Sequence, residues 1–417
     1  MFSSLRIRDF RVFWIGMFVS FVGTWIQSIA QSWLVFQLSH SAFLLGLVGF
    51  LGSLPIFLFT FVGGATADRE DKRRILIFTQ SAFMLLAFFL AAITYLQLVR
   101  TWHIMLIALL NGIVMAFDGP SRQAMVAELV DRSHLFNAIL LNSAAFNLAR
   151  TLGPALAALL VSYIGMGGCF LVNGLSFLVV IVALFSIRNS DIFFEKKNNF
   201  FYDVIEGLAF VYRHKIIFLF ILITGITSLF GVSYVILMPI VAEEVLGFGM
   251  KGLGLLMSSA GLGAVVATVG MATMGYISNK VKILVLSCFS FAGLLVLFSL
   301  SKNFIFSLVI LFFLGWTIVT TTSFINTLLQ SIVPDEFRGR VMSAFMFSFA
   351  GVMPFGHLIA GVLAQAWGVS FALRISGFIC LISFLFIFSR YRGILIFKEE
   401  DFYEEKCPAG SRFNNVT

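Results

Sequence analysis

Twelve apolar runs, each long enough to cross a bilayer, leave this chain of 417 residues almost no choice of fold. They lie near 13–38, 42–67, 74–98, 102–121, 134–163, 167–187, 216–242, 251–277, 281–300, 303–331, 338–366 and 370–390. A spanning helix needs roughly 20 apolar residues to cross about 30 Å of hydrocarbon. Strands of a membrane barrel are about 10 residues long and alternate in polarity, which these runs do not. Composition agrees: 60% of the residues are hydrophobic and only 12% charged, against about 25% charged in a soluble globule. The expected fold is an all-α integral membrane protein with twelve transmembrane helices.

The formal charge of +8 does not point to nucleic acid, because the basic residues are placed by topology. About 23 of the 28 Lys and Arg fall on one set of alternate loops and on the tails, as the positive-inside rule demands. That rule puts both termini in the cytoplasm. The first span is too long for a signal-peptide core and no small-residue cleavage site follows it, so it is expected to be retained. Cys169, Cys288 and Cys380 lie in apolar runs and Cys407 in the tail, with no Cys-x-x-Cys pair. Neither a disulfide framework nor a metal site is implied. There is no phosphate-binding Gly-rich loop and no nucleophile–base constellation, so neither an enzyme nor an ATP-driven pump is expected, and no cofactor.

One long polar interval, 188–215, divides six spans from six. The expected units are a first bundle over 1–187, a linker over 188–215, a second bundle over 216–390 and a tail over 391–417. The end of the linker, from Phe200 to Lys215, suits an amphipathic helix at the interface. An internal repeat supports the division. Shifting the first half by 203 positions pairs Gly153 with Gly356, Ala157 with Ala360, Gly165 with Gly368 and Gly174 with Gly377. Two parallel six-helix repeats are a known transporter build, with cargo held between them near the membrane midplane.

The short loop after the second span reads Gly64-x-x-x-Asp68-Arg69-x-x-Lys72-Arg73, followed by Arg74. This resembles the loop of the major facilitator superfamily. The stretches Leu5-Arg6-Ile7-Arg8-Asp9-Phe10-Arg11, Asp118-Gly119-Pro120-Ser121-Arg122-Gln123-Ala124 and Pro334-Asp335-Glu336-Phe337-Arg338-Gly339-Arg340 are similar to one bacterial branch of it, which includes the enterobactin exporter and macrolide efflux proteins. The resemblance implies the major facilitator fold and alternating access. It further implies export in exchange for protons, with Asp68 pinning the two halves together in one state. The chain departs from the family pattern twice. Asp71 stands where the loop usually has Gly, and Ala157-Ala158 replace the glycine pair that follows Gly153-Pro154 in antiporters.

Asp68, with Arg69, Arg73 and Arg74 as its partners or as lipid-phosphate contacts, is the candidate gate. Plain topology signalling is the competing reading for the basic residues. Asp118 is an acid inside the fourth span, costly there unless partnered. Arg122, four residues on, shares its helical face, and Arg69 is a second candidate partner. The pair could lock a gate or carry the coupling proton. Arg150 lies near mid-depth on a stripe with Ser143, Asn147 and Pro154. It either anchors an anionic group of the cargo or serves as a counter-ion to another helix. Ser20, Thr24, Gln27 and Gln31 fall on one face of the first span, and Gln27 and Gln31 are expected to line the cavity. Thr224, Thr227, Ser228 and Tyr234 on the seventh span, and Thr320, Ser323, Thr327 and Gln330 on the tenth, either join that lining or hold helices together. His357, at the repeat position of Pro154, is either a proton-exchanging group or a packing residue.

The expected protein is therefore a monomeric secondary transporter of a bacterial inner membrane, in contact with lipid. It exports an amphiphilic small molecule, a siderophore or a drug, against protons. An importer or lipid flippase fits the same sequence. A membrane subunit that assists a secretion assembly, with the tail from Ile394 as its docking element, is an alternative of a different kind.

Overall fold

A computed structural model describes residues 3–187, 209–273 and 279–391, and all regular structure among them is helical. Helix α1 spans Arg8–Ser39, α2 Ala42–Arg69, α3 Lys72–Tyr95 and α4 Thr101–Glu128. The run Arg132–Ser186 is broken at Gly165, whose φ of 70° is left-handed, giving α5 over 132–164 and α6 over 166–186. Then come α7 Lys215–Val245, α8 Gly249–Thr273, α9 Lys280–Leu300, α10 Phe304–Ile332, α11 Glu336–Trp367 and α12 Val369–Arg390. The twelve expected spans are these twelve helices. Most of the 188–215 linker lies outside the described residues, as does the chain beyond 391.

Three elements differ from the expectation. Helix α4 runs seven residues past 121, to Glu128, because its polar end is held by ion pairs. Lys72 at the start of α3 meets Glu128 at 3.0 Å with both side chains nearly buried, and Arg122 meets Asp118. Helices α7 and α11 are irregular, with π turns at Thr227–Gly231 and Phe347–Gly351. Pro239 and Pro354 follow within the same helices and lack the N–H that regular helix requires. The Ser228 hydroxyl donates to the Phe349 carbonyl and joins the two π turns.

The repeat read from the sequence has a structural counterpart at each paired glycine. Gly165 and Gly368 both take positive φ, 70° and 85°, and turn α5 into α6 and α11 into α12. Gly153 lets α5 close on Trp25 of α1, while Gly356 lets α11 close on Leu229 and Ser233 of α7. Gly174 faces Phe88 of α3 and Gly377 faces Val296 of α9. A side chain at these close approaches would drive the helices apart.

The apolar core is divided in a way that positions the site. At the end of the molecule away from the Asp68–Arg74 loop, one cluster draws on both halves, from Trp33, Leu45 and Phe170 to Leu237, Leu256 and Leu314. At the loop end the core splits. One cluster, around Phe10, Phe13, Leu76 and Leu184, is built from the first half alone. Another, around Phe220, Leu284, Leu328 and Phe384, is built from the second half alone. The halves are thus joined at one end and parted at the basic end.

Candidate functional site

The seam that joins the halves is made by α2 against α11 and α5 against α8. On the first line, the Ser41 hydroxyl donates to Gln365 Oε1 at 2.8 Å and the Phe43 amide donates to the same oxygen. Below them Gly46 lies against Gly361 and the His357 carbonyl. Phe57, packed on Phe347 and Phe355, ends the line. On the second line, Gly254 accepts Ala158 and Gly261 lies on Thr151, while the Ser258 hydroxyl donates to the Thr151 carbonyl at 2.9 Å. Ala158 is therefore tolerated in place of a glycine because the matching small residue sits on the facing helix.

Arg150 stands where this seam ends and the opening begins. Trp25 spans the α5 face that carries Arg150: its ring meets Phe146 edge-on, with centroids 6.1 Å apart, and Trp25 also abuts Gly153. Across the interface the guanidinium is within electrostatic reach of Tyr234 on α7. No described carboxylate lies within ion-pair distance of Arg150, and no described group takes a hydrogen bond from its side chain. The counter-ion reading of this arginine has no partner among the described residues.

Asp118 is 1% exposed and sits in a polar knot between α3 and α4. Its Oδ1 accepts from Thr79 Oγ1 at 2.9 Å and from Gln80 Nε2 at 2.7 Å. Its Oδ2 faces Arg122 Nη1 at 3.2 Å, and the Arg122 guanidinium lies 4.8 Å over the Phe21 ring of α1. Arg69 takes no part. It is exposed at the end of α2, and the hydroxyl and amide of α3 fill the place it was expected to take. Asp118 Oδ2, Gln80 Oε1 and Ser121 Oγ are buried without a hydrogen-bond partner in the protein.

The loop residues divide differently from the expectation. Asp68 and Arg69 are exposed and make no ion pair with a described residue. Arg73 and Arg74 do not partner Asp68. Arg73 donates to the Phe185 carbonyl at the end of α6, and Arg74 lies 3.5 Å from Asp71. Asp71 caps α3 by accepting from the Arg73 amide at 2.9 Å, which is what a carboxylate supplies there and glycine does not.

Gln27 is a correction. It is 7% exposed and accepts from Asn173 Nδ2 at 2.8 Å, so it binds α1 to α6 and does not line the opening. Gly23, on the same stripe, is so close to Ser176 and Asn173 that no side chain fits, and that glycine was the available sign of a packed face. The open face of α1 is one step round, at Thr24 and Ser28, with Gln31 half-buried beside it. Asn147 donates to its own helix at Ser143. The α7 hydroxyls Thr224, Thr227 and Ser228 are buried, the two threonines bonded back to their own helix. On α10, Thr320 is buried, whereas Thr327 and Gln330 are exposed toward the basic end. His357 belongs to the seam, with Nδ1 buried against Gly49, far along the fold from the Asp118 knot. The partners Thr79 and Gln80 were not singled out from sequence; a Thr-Gln pair in an otherwise apolar third span was the signal.

Twelve helices in two like halves, joined at one end and parted at the other around an unpaired arginine, define a transporter of the major facilitator type. The chain belongs to the family described as transmembrane secretion effector, whose model matches residues 1–402. It is 26% identical over 390 residues to the staphyloferrin A transporter of Staphylococcus aureus, covering 91% of this chain and 96% of that one. It is 21% identical over 373 residues to macrolide efflux protein A of Streptococcus pyogenes, covering 88% and 92%. In structure it is similar to a bacterial homologue of the human lysosomal transporter Spinster, in an inward-facing, unoccupied conformation. That match has a TM-score of 0.70 at 12% identity and covers 96% of this chain and 98% of that one.

Proposed function

We propose that the protein is a proton-driven exporter of an amphiphilic small molecule, a siderophore or a drug, in a bacterial inner membrane. The observation that carries this reading is the divided core, one shared cluster at one end and two separate clusters at the other. A body built so can rock about the midplane and expose the Arg150 region to one side at a time. The basic loops support a cytoplasmic side for the open end and for both termini, which fits the loading state of an exporter. The relatives named for siderophore transport and macrolide efflux support the cargo class and, for the second, the direction.

In this reading the two six-helix bundles, 1–187 and 216–390, move as units on the linker between them, and one chain surrounded by lipid suffices. Asp68 and Arg69, exposed in the open state, meet the other half when the basic end closes. Asp118 takes the coupling proton. A proton on Oδ2 would neutralise the carboxylate that faces Arg122 at 3.2 Å and so release the guanidinium. Cargo meets Arg150 with Gln31 and the exposed hydroxyls of α1. The test is a deletion strain and its complemented parent grown in iron-poor medium, with siderophore assayed outside and inside washed cells. Retention in the deleted strain, reversed by complementation, is expected. Unchanged secretion with reduced uptake of ferric siderophore would make the protein an importer.

A further inference from the structure

The transport reading leaves the charge of the cargo open, and the groups around Arg150 settle on one sign. The polar side chains placed at this region are a guanidinium, hydroxyls and the Gln31 amide, and none is a carboxylate. Arg150 presents a planar fork of N–H groups with no described carboxylate to answer it. Tyr234 of α7 lies in the shared core with Ile26 of α1 and Ala157 of α5, and no described group takes a hydrogen bond from its hydroxyl. Thr24 and Ser28 are exposed on the adjoining face of α1. Phe146 and Gly153, about one helical turn to either side of Arg150 on α5, both meet Trp25. Asp118 is buried and held by Arg122, Thr79 and Gln80, so it does not offset the charge of Arg150.

An arginine at this depth is costly unless something compensates it. A cationic cargo would add to that cost. A cargo with a single carboxylate would remove it, pairing two oxygens with two N–H groups in one plane. A phosphate dianion would arrive with twice the charge that one guanidinium can neutralise. We infer that the Arg150–Tyr234 region is a carboxylate-binding site, and that the cargo is an amphiphilic carboxylate whose apolar body lies on Trp25 and Phe146. This rests on the transport reading and narrows its cargo to anions.

The experiment is equilibrium binding of three fluorescent probes to the full-length protein in nanodiscs: dansylglycine, its neutral amide and the amine dansylcadaverine. The carboxylate is expected to bind about tenfold or more tighter than the amide, the amine more weakly still. Arg150→Gln should abolish the difference between carboxylate and amide. Arg150→Lys should keep part of it, since the charge remains and the fork is lost. Tyr234→Phe, which removes only a hydroxyl, should weaken the carboxylate and leave the amide unchanged. Equal binding of the three probes, a preference for the amine, or an unchanged preference in Arg150→Gln would overturn the inference. So would a folded protein that binds none of them. Each of those results leaves the export reading standing, because that reading is decided by secretion in cells.

Discussion

At Asp118 and Gln27 the difference between a polar residue that works and one that packs comes down to what its atoms already touch. Asp118 has one oxygen doubly hydrogen-bonded and the other beside Arg122. Asp118→Asn keeps the shape and removes the charge. In proteoliposomes we expect flux that no longer responds to an imposed pH difference, while exchange of labelled for unlabelled cargo continues. Retained pH-driven accumulation would exclude Asp118 as the proton carrier. The substitution also strands Arg122, at a cost of about 3–5 kcal/mol for a broken buried pair. Thermal unfolding should therefore show Asp118→Asn with Arg122→Gln to be more stable than Asp118→Asn alone. Gln27→Leu should behave in the opposite way. It leaves the buried Asn173 amide without an acceptor, costing about 1–3 kcal/mol, and it should lower the melting temperature without changing the KM for cargo. A raised KM with unchanged stability would return Gln27 to the cavity.

Among the elements, the pairing of α2 with α11 decides which end of the molecule is shut. A Cβ placed on Gly46 would lie 2.6 Å from the His357 carbonyl oxygen and 2.8 Å from the Gly361 Cα, and backbone on both sides cannot yield. Gly46→Ala is expected to wedge this seam and shift the population toward the state open at the far end. The measurement is the rate of disulfide formation between cysteines placed at Ser41 and Gln365, whose side chains now share a hydrogen bond. A fall of several-fold is expected in the Gly46→Ala background. Gly64→Ala, in the loop pattern of the same helix, meets open space and should leave the rate unchanged. Equal rates in all three proteins would mean that the seam is not held by this glycine.

For the whole molecule, a shared core at one end and separate cores at the other predict opposite motions at the two ends. Spin labels at Asp68 and Glu336, both exposed at the basic end, should approach one another when the carrier turns outward. Labels at Ser41 and Gln365 should separate under the same conditions. Dipolar distance distributions in nanodiscs, recorded with the Gly46→Ala variant as a driver of the outward state, check both. Motion of the two pairs in the same direction would contradict rocking of two rigid halves.

The amino-acid sequence by itself determined the elements and their doubling. Apolar length fixes the helices, because lipid forces any span to be long and internally hydrogen-bonded. The glycines that match at a fixed offset mark turns and close approaches that only a residue without a side chain can make, so Gly165 and Gly368 pair in the sequence independently of their φ. Asp118 with Arg122 was equally legible, since four residues of helix place the two on one face. The rotation of each helix about its axis was not, and it was decided only in three dimensions. A polar stripe on α1 carries no mark of whether it meets water or another polar stripe. The partner that claims Gln27 is Asn173, 146 residues away. Likewise Arg150 has the same sequence neighbours whether or not a carboxylate faces it, and its lack of one is a property of the assembled bundle. Long-range pairing is set by packing of whole helices, which is why the basic loop, the Asp118 knot and the Arg150 region became separable only once the two halves were seen together.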